Sequence, residues 1–182
     1  MGSEFHIPVL AHELLEWLDP KSAKLYVDGT LGLGGHTSLI LDQSAPAGRV
    51  LGFEWDEQAA RLAAARLSGF GDRFQFVHGS YADLLVRCRE VGVNQVDGIL
   101  IDLGVSSLQL DSPERGFSFM TDAPLDMRMD SRRQVTAEQL VNNLKNDELA
   151  DIFYNYGEER QARRIAKFIV EARLHCPVKT TR

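Results

Sequence analysis

Cysteine is scarce in this chain, since Cys88 and Cys176 are the only two among 182 residues and stand far apart. This argues against a disulfide framework, gives no metal-type spacing and indicates a reducing compartment, so no metal site is predicted. Apolar runs are short as well: none approaches the roughly 18 residues that a membrane span needs. With 44% hydrophobic and 25% charged residues, the composition is typical of a soluble, globular protein without a membrane partner.

Positive charge is also in deficit, because the formal net charge is −6, but the deficit is uneven. From Glu158 to Arg182, seven Lys or Arg side chains stand against three acids, which leaves +4 there and −10 in the rest. This argues against a protein coated with nucleic acid, although the basic end could meet RNA phosphates. A solvated helix face would explain the same charges.

Short apolar strands alternate with helices over the first hundred residues. Strands are predicted at Leu25–Val27, Arg49–Phe53, Phe74–Val77 and Val96–Leu103. Helices are predicted at Val9–Leu18, His36–Leu41, Glu57–Leu67 and Tyr81–Val91. This alternation predicts βαβ units, and therefore a Rossmann-like α/β fold with a parallel sheet. The fourth strand is so apolar that burial on both faces is expected.

The pattern changes after the fourth strand. Residues 104–135 are rich in Gly, Ser, Pro and Asp, which predicts an ordered loop. Thr136 and Gln139 fit a capping box at the start of a helix, and further helices are predicted at Asp147–Tyr154 and Glu158–Leu174. We therefore expect an α/β domain over residues 6–103 and a loop with a helical domain over 104–182. Residues 1–5 resemble a cloning remnant.

A glycine-rich turn with Gly32, Gly34 and Gly35 follows the first strand. Glycines let the backbone approach a ligand closely, although a tight strand-to-helix turn would need them as well. Glu54 ends the second strand about 20 residues further on, where a carboxylate can accept both hydroxyls of an adenosine ribose. Enzymes that use NAD and enzymes that use S-adenosylmethionine share this arrangement, so these residues predict an adenosine-type ligand without identifying it.

Two further residues end strands at the same edge of the predicted sheet. Tyr81 follows the third strand and could lie against an adenine face, or simply begin a helix and pack. Asp102 ends the fourth strand beside the point where ligands bind in open α/β sheets. A carboxylate in that position costs free energy unless it is hydrogen-bonded or has a task.

Five motifs occur in an order that is specific. They are Asp28-x-Thr30-x-Gly32-x-Gly34-Gly35-His36-Thr37, Asp102-Leu-Gly-Val-Ser-Ser107-x-Gln109-Leu-Asp111, Arg115-Gly-Phe-Ser-Phe119, Pro124-Leu-Asp-Met-Arg-Met-Asp130 and Tyr156-Gly-Glu-Glu-Arg160. From His6 to its last residue, the chain resembles the bacterial family that methylates N4 of a cytosine in small-subunit ribosomal RNA. The strand-two acid of that family is more often Asp, and Asn-Phe is usual where Ser80-Tyr81 stand here.

The resemblance implies S-adenosyl-L-methionine as cofactor and assigns roles to particular residues. The implied cofactor contacts are Gly34, Gly35, His36, Glu54, Tyr81, Asp102 and Gln109. Asp102 is also the predicted catalytic residue, accepting an N4–H of the base. The alternative is that Asp102 meets only the methionine part of the cofactor. Candidates for contact with the base or the RNA are Ser106, Ser107, Phe117, Phe119, Asp126, Arg128, Arg160, Arg163 and Arg164. The implied partner is small-subunit ribosomal RNA or the assembled subunit, in the cytoplasm or in an organelle.

The chain is shorter than members of that family and is expected to end within their helical insert. An unpaired edge beside the fourth strand would then invite pairing with a second copy as a homodimer. Three alternatives stay open: a non-catalytic module that binds S-adenosylmethionine, an NAD-dependent oxidoreductase, and a methyltransferase for protein or small molecules. The absence of a third dinucleotide-type glycine argues against the oxidoreductase.

Overall fold

The structure, a computed structural model, describes residues 8–182. The proposed cloning remnant, residues 1–5, lies outside the described residues. The chain forms two compact units, of which the first ends at Gly104 and the second begins at Val105. Within residues 8–182, the structure contains no helix that is long and apolar enough to cross a membrane.

The first unit is built on a four-stranded parallel sheet. Its strands are β1 (Leu25–Asp28), β2 (Arg49–Glu54), β3 (Phe74–His78) and β4 (Gly98–Leu100). Their order in the sheet is β3-β2-β1-β4, and every neighbouring pair is parallel. This is the order of the corresponding strands in a Rossmann sheet, so the predicted Rossmann-like α/β fold is confirmed. The carboxyl ends of all four strands meet at one edge.

Four helices accompany the sheet, namely α1 (Ala11–Leu18), α2 (Gly35–Gln43), α3 (Glu57–Leu67) and α4 (Leu84–Glu90). The limits of α3 are those predicted. Its N-cap is Asp56, whose carboxylate accepts hydrogen bonds from the backbone N–H groups of Gln58 and Ala59. The helix α4 begins three residues later than predicted, because Tyr81–Asp83 form a short 3-10 turn before it.

The core of this unit consists of two hydrophobic clusters that alternate along the strands. Tyr26 and Val50 belong to one cluster, whereas Val27, Leu51 and Phe53 belong to the other. Side chains of successive strand residues point to opposite faces, so the two clusters cover the two faces of the sheet. The ends of β1 and β2 are thereby held firmly from both sides.

The fourth strand departs from the prediction. It covers only Gly98–Leu100 and pairs with β1 alone, so it is an edge strand among the described residues. Ile99 is 49% exposed and Ile101 44%, and the predicted burial on both faces is therefore wrong for residues 8–182. An apolar run predicts complete burial only where the sheet continues and is covered on both sides of the strand.

The second unit has four helices, α5 (Ser107–Asp111), α6 (Ala137–Asn143), α7 (Asn146–Asn155) and α8 (Ala162–Arg173). The capping box at Thr136 and Gln139 is confirmed. The helices α7 and α8 pack on each other around Leu149, Ala150 and Ala166. The last helix was predicted to begin at Glu158, but it begins at Ala162 because Glu158 has a left-handed φ of 51°.

Candidate functional site

The glycine turn connects β1 to α2. Gly32 and Gly34 have φ of 51° and 76°, a region that glycine adopts without strain. A Cβ on Gly34 would lie 3.0 Å from Leu67 Cδ1, and one on Gly35 would lie 2.7 Å from Pro8 Cγ. A Cβ on Gly32, in contrast, would meet only the carbonyl oxygen of Thr30, at 3.9 Å. The turn is therefore packed behind Gly34 and Gly35 and open at Gly32.

Asp28, the last residue of β1, lies fully buried beneath this turn. Its Oδ2 accepts a hydrogen bond from Thr37 Oγ1 at 2.7 Å, and its Oδ1 accepts one from the backbone N–H of Thr30 at 3.1 Å. Burial raises the pKa of Asp28, and these two hydrogen bonds oppose the rise. The carboxylate thus ties the strand to both ends of the turn, a role that the sequence reasoning missed although the motif contained all three residues.

Glu54 extends from the end of β2 to the same turn. Its Oε2 accepts a hydrogen bond from Gly32 N–H at 2.9 Å, while its Oε1 accepts from the N–H groups of Trp55 and Asp56, each at 2.9 Å. A carboxylate offers about four acceptor sites, so one stays open for a ligand. Burial raises the pKa of Glu54, with the three backbone donors acting in the opposite direction.

Asp102 lies two residues beyond the end of β4, with its side chain 53% exposed. Because the carboxylate reaches water, it escapes the desolvation cost expected from its apolar strand. Its backbone N–H donates to Thr30 Oγ1 at 2.7 Å. The glycine turn is therefore bonded directly to the backbone of the predicted catalytic residue.

His36, the second residue of α2, has its ring near Asp102. Its ring nitrogen Nε2 lies 2.8 Å from the carbonyl oxygen of Val9, which can only accept, so Nε2 carries a proton. Its other nitrogen, Nδ1, lies 4.0 Å from Asp102 Oδ2. The imidazole, 13% exposed, thus stands between the segment before α1 and the carboxylate.

Tyr81 begins the short turn before α4 and is 38% exposed. A Cβ on Gly29 would lie 3.0 Å from Tyr81 Cβ and 3.2 Å from Ile101 Cγ1, so the aromatic residue sits close to the ends of β1 and β4. Part of the ring surface is free, which leaves both predicted roles, packing and stacking on a base, compatible with the structure.

In the second unit, Ser106 and Gln109 are engaged with each other at the start of α5. The Ser106 hydroxyl accepts from Gln109 N–H at 3.2 Å, and Gln109 Oε1 accepts from Ser106 N–H at 3.0 Å. This is a capping box, in which both backbone donors are satisfied by side chains. Ser107 is the first residue of that helix. The implied cofactor contact of Gln109 stays a prediction.

Asp126 and Arg128 also contact each other. Two guanidinium nitrogens of Arg128 donate to the two carboxylate oxygens of Asp126, at 2.8 and 2.6 Å, and its Nη1 donates to the carbonyl oxygens of Ser131 and Arg133. Arg128 lowers the pKa of Asp126, chiefly through these side-chain hydrogen bonds. A contact of either residue with RNA would compete with these bonds.

The two predicted stacking residues differ in exposure. Phe117 is half-buried with the guanidinium of Arg115 about 6.0 Å from its ring centre, whereas Phe119 is 74% exposed. Phe119 therefore presents a free aromatic face, and Phe117 has the packed position that is usual for an anchoring residue.

The predicted basic residues lie around the beginning of α8. Arg163 and Arg164 are exposed on the helix, and Arg164 lies 5.4 Å over the ring of Phe168. The three- and four-residue spacing of Arg160, Arg163, Arg164 and Lys167 in the sequence predicts one shared helical face. For Arg160 this prediction is wrong, because α8 begins only at Ala162. Tyr154, which the sequence reasoning did not single out, and Tyr156, the first residue of the fifth motif, are 63% and 86% exposed at the C-terminal end of α7.

The structure thus brings six predicted cofactor residues to one edge of the first unit's sheet. They are Gly34, Gly35, His36, Glu54, Tyr81 and Asp102. The other candidates belong to the second unit and form three groups there, around α5, around the Asp126–Arg128 pair and at the beginning of α8. The candidate residues of the two units therefore differ in kind. Those of the first unit are carboxylates near glycines, whereas those of the second unit include arginines and aromatic residues.

Comparison with known proteins identifies the family of this chain. Residues 3–182 match the MraW methylase family. The ribosomal RNA small subunit methyltransferase H of Desulfotalea psychrophila is 50% identical over 181 residues, which cover 100% of this chain and 61% of the relative. The protein of the same name from Geobacter sp. strain M21 is 54% identical over 97% of this chain and 56% of the relative.

Among solved structures, a SAM-dependent O-methyltransferase from Thermotoga maritima is 20% identical, with a TM-score of 0.45 over 56% of this chain and 37% of that one. The chain spans between half and two thirds of the length of the curated relatives. Because the family match extends over nearly every residue, the chain belongs to the MraW methylase family.

Proposed function

We propose that this chain is the cofactor-binding part of a methyltransferase that transfers a methyl group from S-adenosyl-L-methionine to N4 of a cytosine in small-subunit ribosomal RNA. The observation that carries the proposal is the convergence of Glu54, Asp102 and the open glycine turn at one sheet edge. The rRNA substrate is supported by the names of relatives that are about half identical. These relatives are longer, so activity is proposed for the protein to which the chain corresponds.

The residues at this edge fit an adenosine-type cofactor. Glu54 keeps one acceptor site for a ribose hydroxyl without losing a backbone hydrogen bond, and Gly32 leaves the space beside it open. A second ribose hydroxyl would share or replace one of the three backbone donors. Tyr81 offers a partly exposed ring at the end of the neighbouring strand, suited to an adenine face.

Asp102 is suited to act on the amine that receives the methyl group. When bound, S-adenosylmethionine supplies an electrophilic methyl group on a positively charged sulfur. An exocyclic cytosine amine is a poor nucleophile, because its lone pair is delocalised into the ring. The exposed carboxylate of Asp102 can accept an N4–H, which localises the lone pair and stabilises the positive charge that develops on nitrogen. The released proton can pass to water.

The second unit would bind RNA at the surface formed by Tyr154, Tyr156, Arg160, Arg163 and Arg164, here called the arginine–tyrosine surface. Arginines pair with phosphates, and exposed aromatic rings stack on unpaired bases. Two further aromatic residues of this unit are exposed, namely Phe119 and Phe168, and Phe168 lies beneath Arg164. The polar candidates are less suited to bind RNA; they are Ser106, Ser107, Asp126 and Arg128. Ser106 already bonds to Gln109, and Asp126 and Arg128 already bond to each other.

The edge of β4 remains a proposed site of self-association. Ile99 and Ile101 are exposed there, and β4 has a partner on only one side among residues 8–182. Sedimentation of the chain in an analytical ultracentrifuge tests this: a concentration-dependent dimer is expected, and a monomer at every concentration would contradict it. A ribosomal RNA substrate would place this protein in the cytoplasm, where bacterial ribosomes are assembled.

Two measurements in sequence test the function. Calorimetric titration with S-adenosylmethionine, with NAD as control, is expected to show binding of the first only. Transfer of a labelled methyl group to small-subunit RNA or ribosomal particles, followed by mapping of the modified base, then separates an enzyme from a binding module. Binding without transfer would favour the non-catalytic alternative, and binding of NAD would overturn the assignment of the cofactor.

A further inference from the structure

The backbone hydrogen bond of Asp102 is unusual for a residue beyond the end of a strand. In a parallel pair of strands, the N–H of a residue donates to one residue of the partner strand. Its carbonyl oxygen accepts from the residue two positions later on that same partner strand. Gly29 N–H donates to the carbonyl oxygen of Leu100 at 2.8 Å, so a continuing ladder would pair Asp102 N–H with the Gly29 carbonyl. Instead, the chain turns away at Gly29, and the hydroxyl of Thr30 accepts from Asp102 at 2.7 Å.

A side chain thus replaces a main-chain acceptor at the last bond of the β1–β4 ladder. This bond joins residues 72 positions apart, and it is the one hydrogen bond that the structure shows for Asp102 within residues 8–182. The Asp102 carboxylate itself is half exposed and contacts His36 only at 4.0 Å. The direction of the carboxylate therefore depends on its backbone, and its backbone depends on Thr30.

The hydroxyl of Thr30 is itself held from below. The Thr30 N–H donates to Oδ1 of the buried Asp28, and Asp28 is fixed on its other oxygen by Thr37. Thr30 is also stiff at χ1, because it is β-branched. A buried carboxylate, a tight turn and a stiff side chain together define where the hydroxyl lies.

We propose that Thr30 is a positioning residue for Asp102: its hydroxyl fixes the backbone of Asp102 so that the carboxylate meets the amine of the base. This rests on the proposed function. Asp102 is exposed, so water can replace the Thr30 hydroxyl as the acceptor of its N–H. Removing the hydroxyl will therefore change the position of Asp102 more than the stability of the fold. Misplacement of a reacting group by about 1 Å can cost about a hundredfold in rate.

The test compares Thr30→Val, which keeps the shape and loses the acceptor, with Thr30→Ser, which keeps the acceptor. Thr180→Val is the matched control, because the Thr180 hydroxyl donates only to the exposed carbonyl of Arg182. Two readouts are needed: amide hydrogen exchange of Asp102 by NMR, and the kcat and KM of methyl transfer by the full-length enzyme.

Thr30→Val is expected to lose protection of the Asp102 amide and to lower kcat by about 10- to 100-fold, with a similar KM for RNA. Thr30→Ser is expected to restore both, and Thr180→Val to change neither. Unchanged protection or unchanged kcat in Thr30→Val would overturn the positioning role. If the unaltered enzyme itself transfers no methyl group, the proposed function fails first and the positioning role with it, a result that differs from failure of the variant alone.

Discussion

Arg128 and Asp126 form a two-pronged ion pair, in which Nε lies 2.8 Å from Oδ1 and Nη2 lies 2.6 Å from Oδ2. The remaining guanidinium nitrogen bonds to the carbonyl oxygens of Ser131 and Arg133. Every nitrogen of the side chain is therefore engaged in shaping the loop between α5 and α6. Such a residue holds a loop together, whereas a phosphate contact needs donors that are free to turn outward.

Replacing Arg128 with Gln is expected to destabilise the second unit by roughly 1 to 2 kcal/mol, because charged hydrogen bonds to a half-buried partner are lost. Urea unfolding, followed by far-ultraviolet circular dichroism, measures the change in the free energy of unfolding. Arg133→Gln is the control, because Arg128 bonds to the carbonyl oxygen of that residue, which the substitution keeps. If Arg128→Gln left stability unchanged but abolished RNA binding, the residue would be a direct RNA contact.

Replacing Asp102 with Asn tests the catalytic assignment. An amide keeps the size but is a weaker acceptor and carries no charge, so methyl transfer is expected to fall by about a hundredfold. Binding of S-adenosylmethionine, measured by calorimetry, is expected to fall much less. A variant that binds the cofactor normally and methylates at the full rate would show that Asp102 does not act on the base.

Glu54→Ala is expected to weaken the binding of S-adenosylmethionine by about 10- to 100-fold, since hydrogen bonds to a charged group are lost. Glu54→Gln is the matched variant: it keeps the length, but presents an N–H₂ group to one of the three backbone donors. Calorimetric titration measures both, and thermal unfolding reports whether the turn survives. Equal affinity of all three proteins would remove Glu54 from the site.

The buried Asp28 predicts a particular pH dependence of stability. Its pKa is raised above the ordinary 3.8, so the folded state holds the proton more tightly than the unfolded state. The stability contributed by protonation is complete below pH 3.8 and is lost as the pH rises through the folded pKa. Relative to Asp28→Asn, which does not titrate, the unaltered chain should therefore lose stability between about pH 4 and the raised pKa.

Urea midpoints of both proteins at several pH values from 4 to 8 measure this difference. Other carboxylates titrate in the same range, but they are common to both proteins and cancel in the comparison. Parallel curves for the two proteins would show that Asp28 has the same pKa folded and unfolded.

The arginine–tyrosine surface predicts how RNA binding depends on salt. Replacing Arg163 and Arg164 together with Gln is expected to reduce the slope of log K against log salt by about 1.4, as two contacts to single-stranded phosphates are lost. Arg89→Gln, an exposed arginine in the first unit, is the control. Filter binding of small-subunit RNA fragments over a salt series measures the slope. An unchanged slope would place the phosphate contacts elsewhere.

Local patterns in the sequence predicted a large part of the fold. The limits of α3 follow from a run of strong helix formers directly after the cap Asp56, and the capping box at Thr136 is equally local. The extent and burial of β4 could not be obtained in that way, because burial depends on which other segments cover a strand. The predicted strand Val96–Leu103 has the same sequence whether or not a neighbouring strand lies beside it.

The candidate site shows the same division. Strand ends and glycines are visible in the sequence, so Glu54 and Asp102 could be assigned to one sheet edge before the structure. The bonds that orient them are not visible, because Glu54 meets Gly32 across 22 positions and Asp102 meets Thr30 across 72. Only the register of the strands brings these groups within hydrogen-bonding distance.

Of the five hydrophobic residues that are buried in residues 105–182, four are alanines and the fifth is Leu149. A methyl side chain removes little apolar area from water, so this unit has a small reserve of hydrophobic stabilisation compared with the first unit, where Phe53, Ile40 and Leu51 are fully buried. The two parts of the chain should then behave as separate foldons. Helices α7 and α8 would open and close many times during the lifetime of an intact sheet, and a bound RNA would slow that breathing by selecting the closed form.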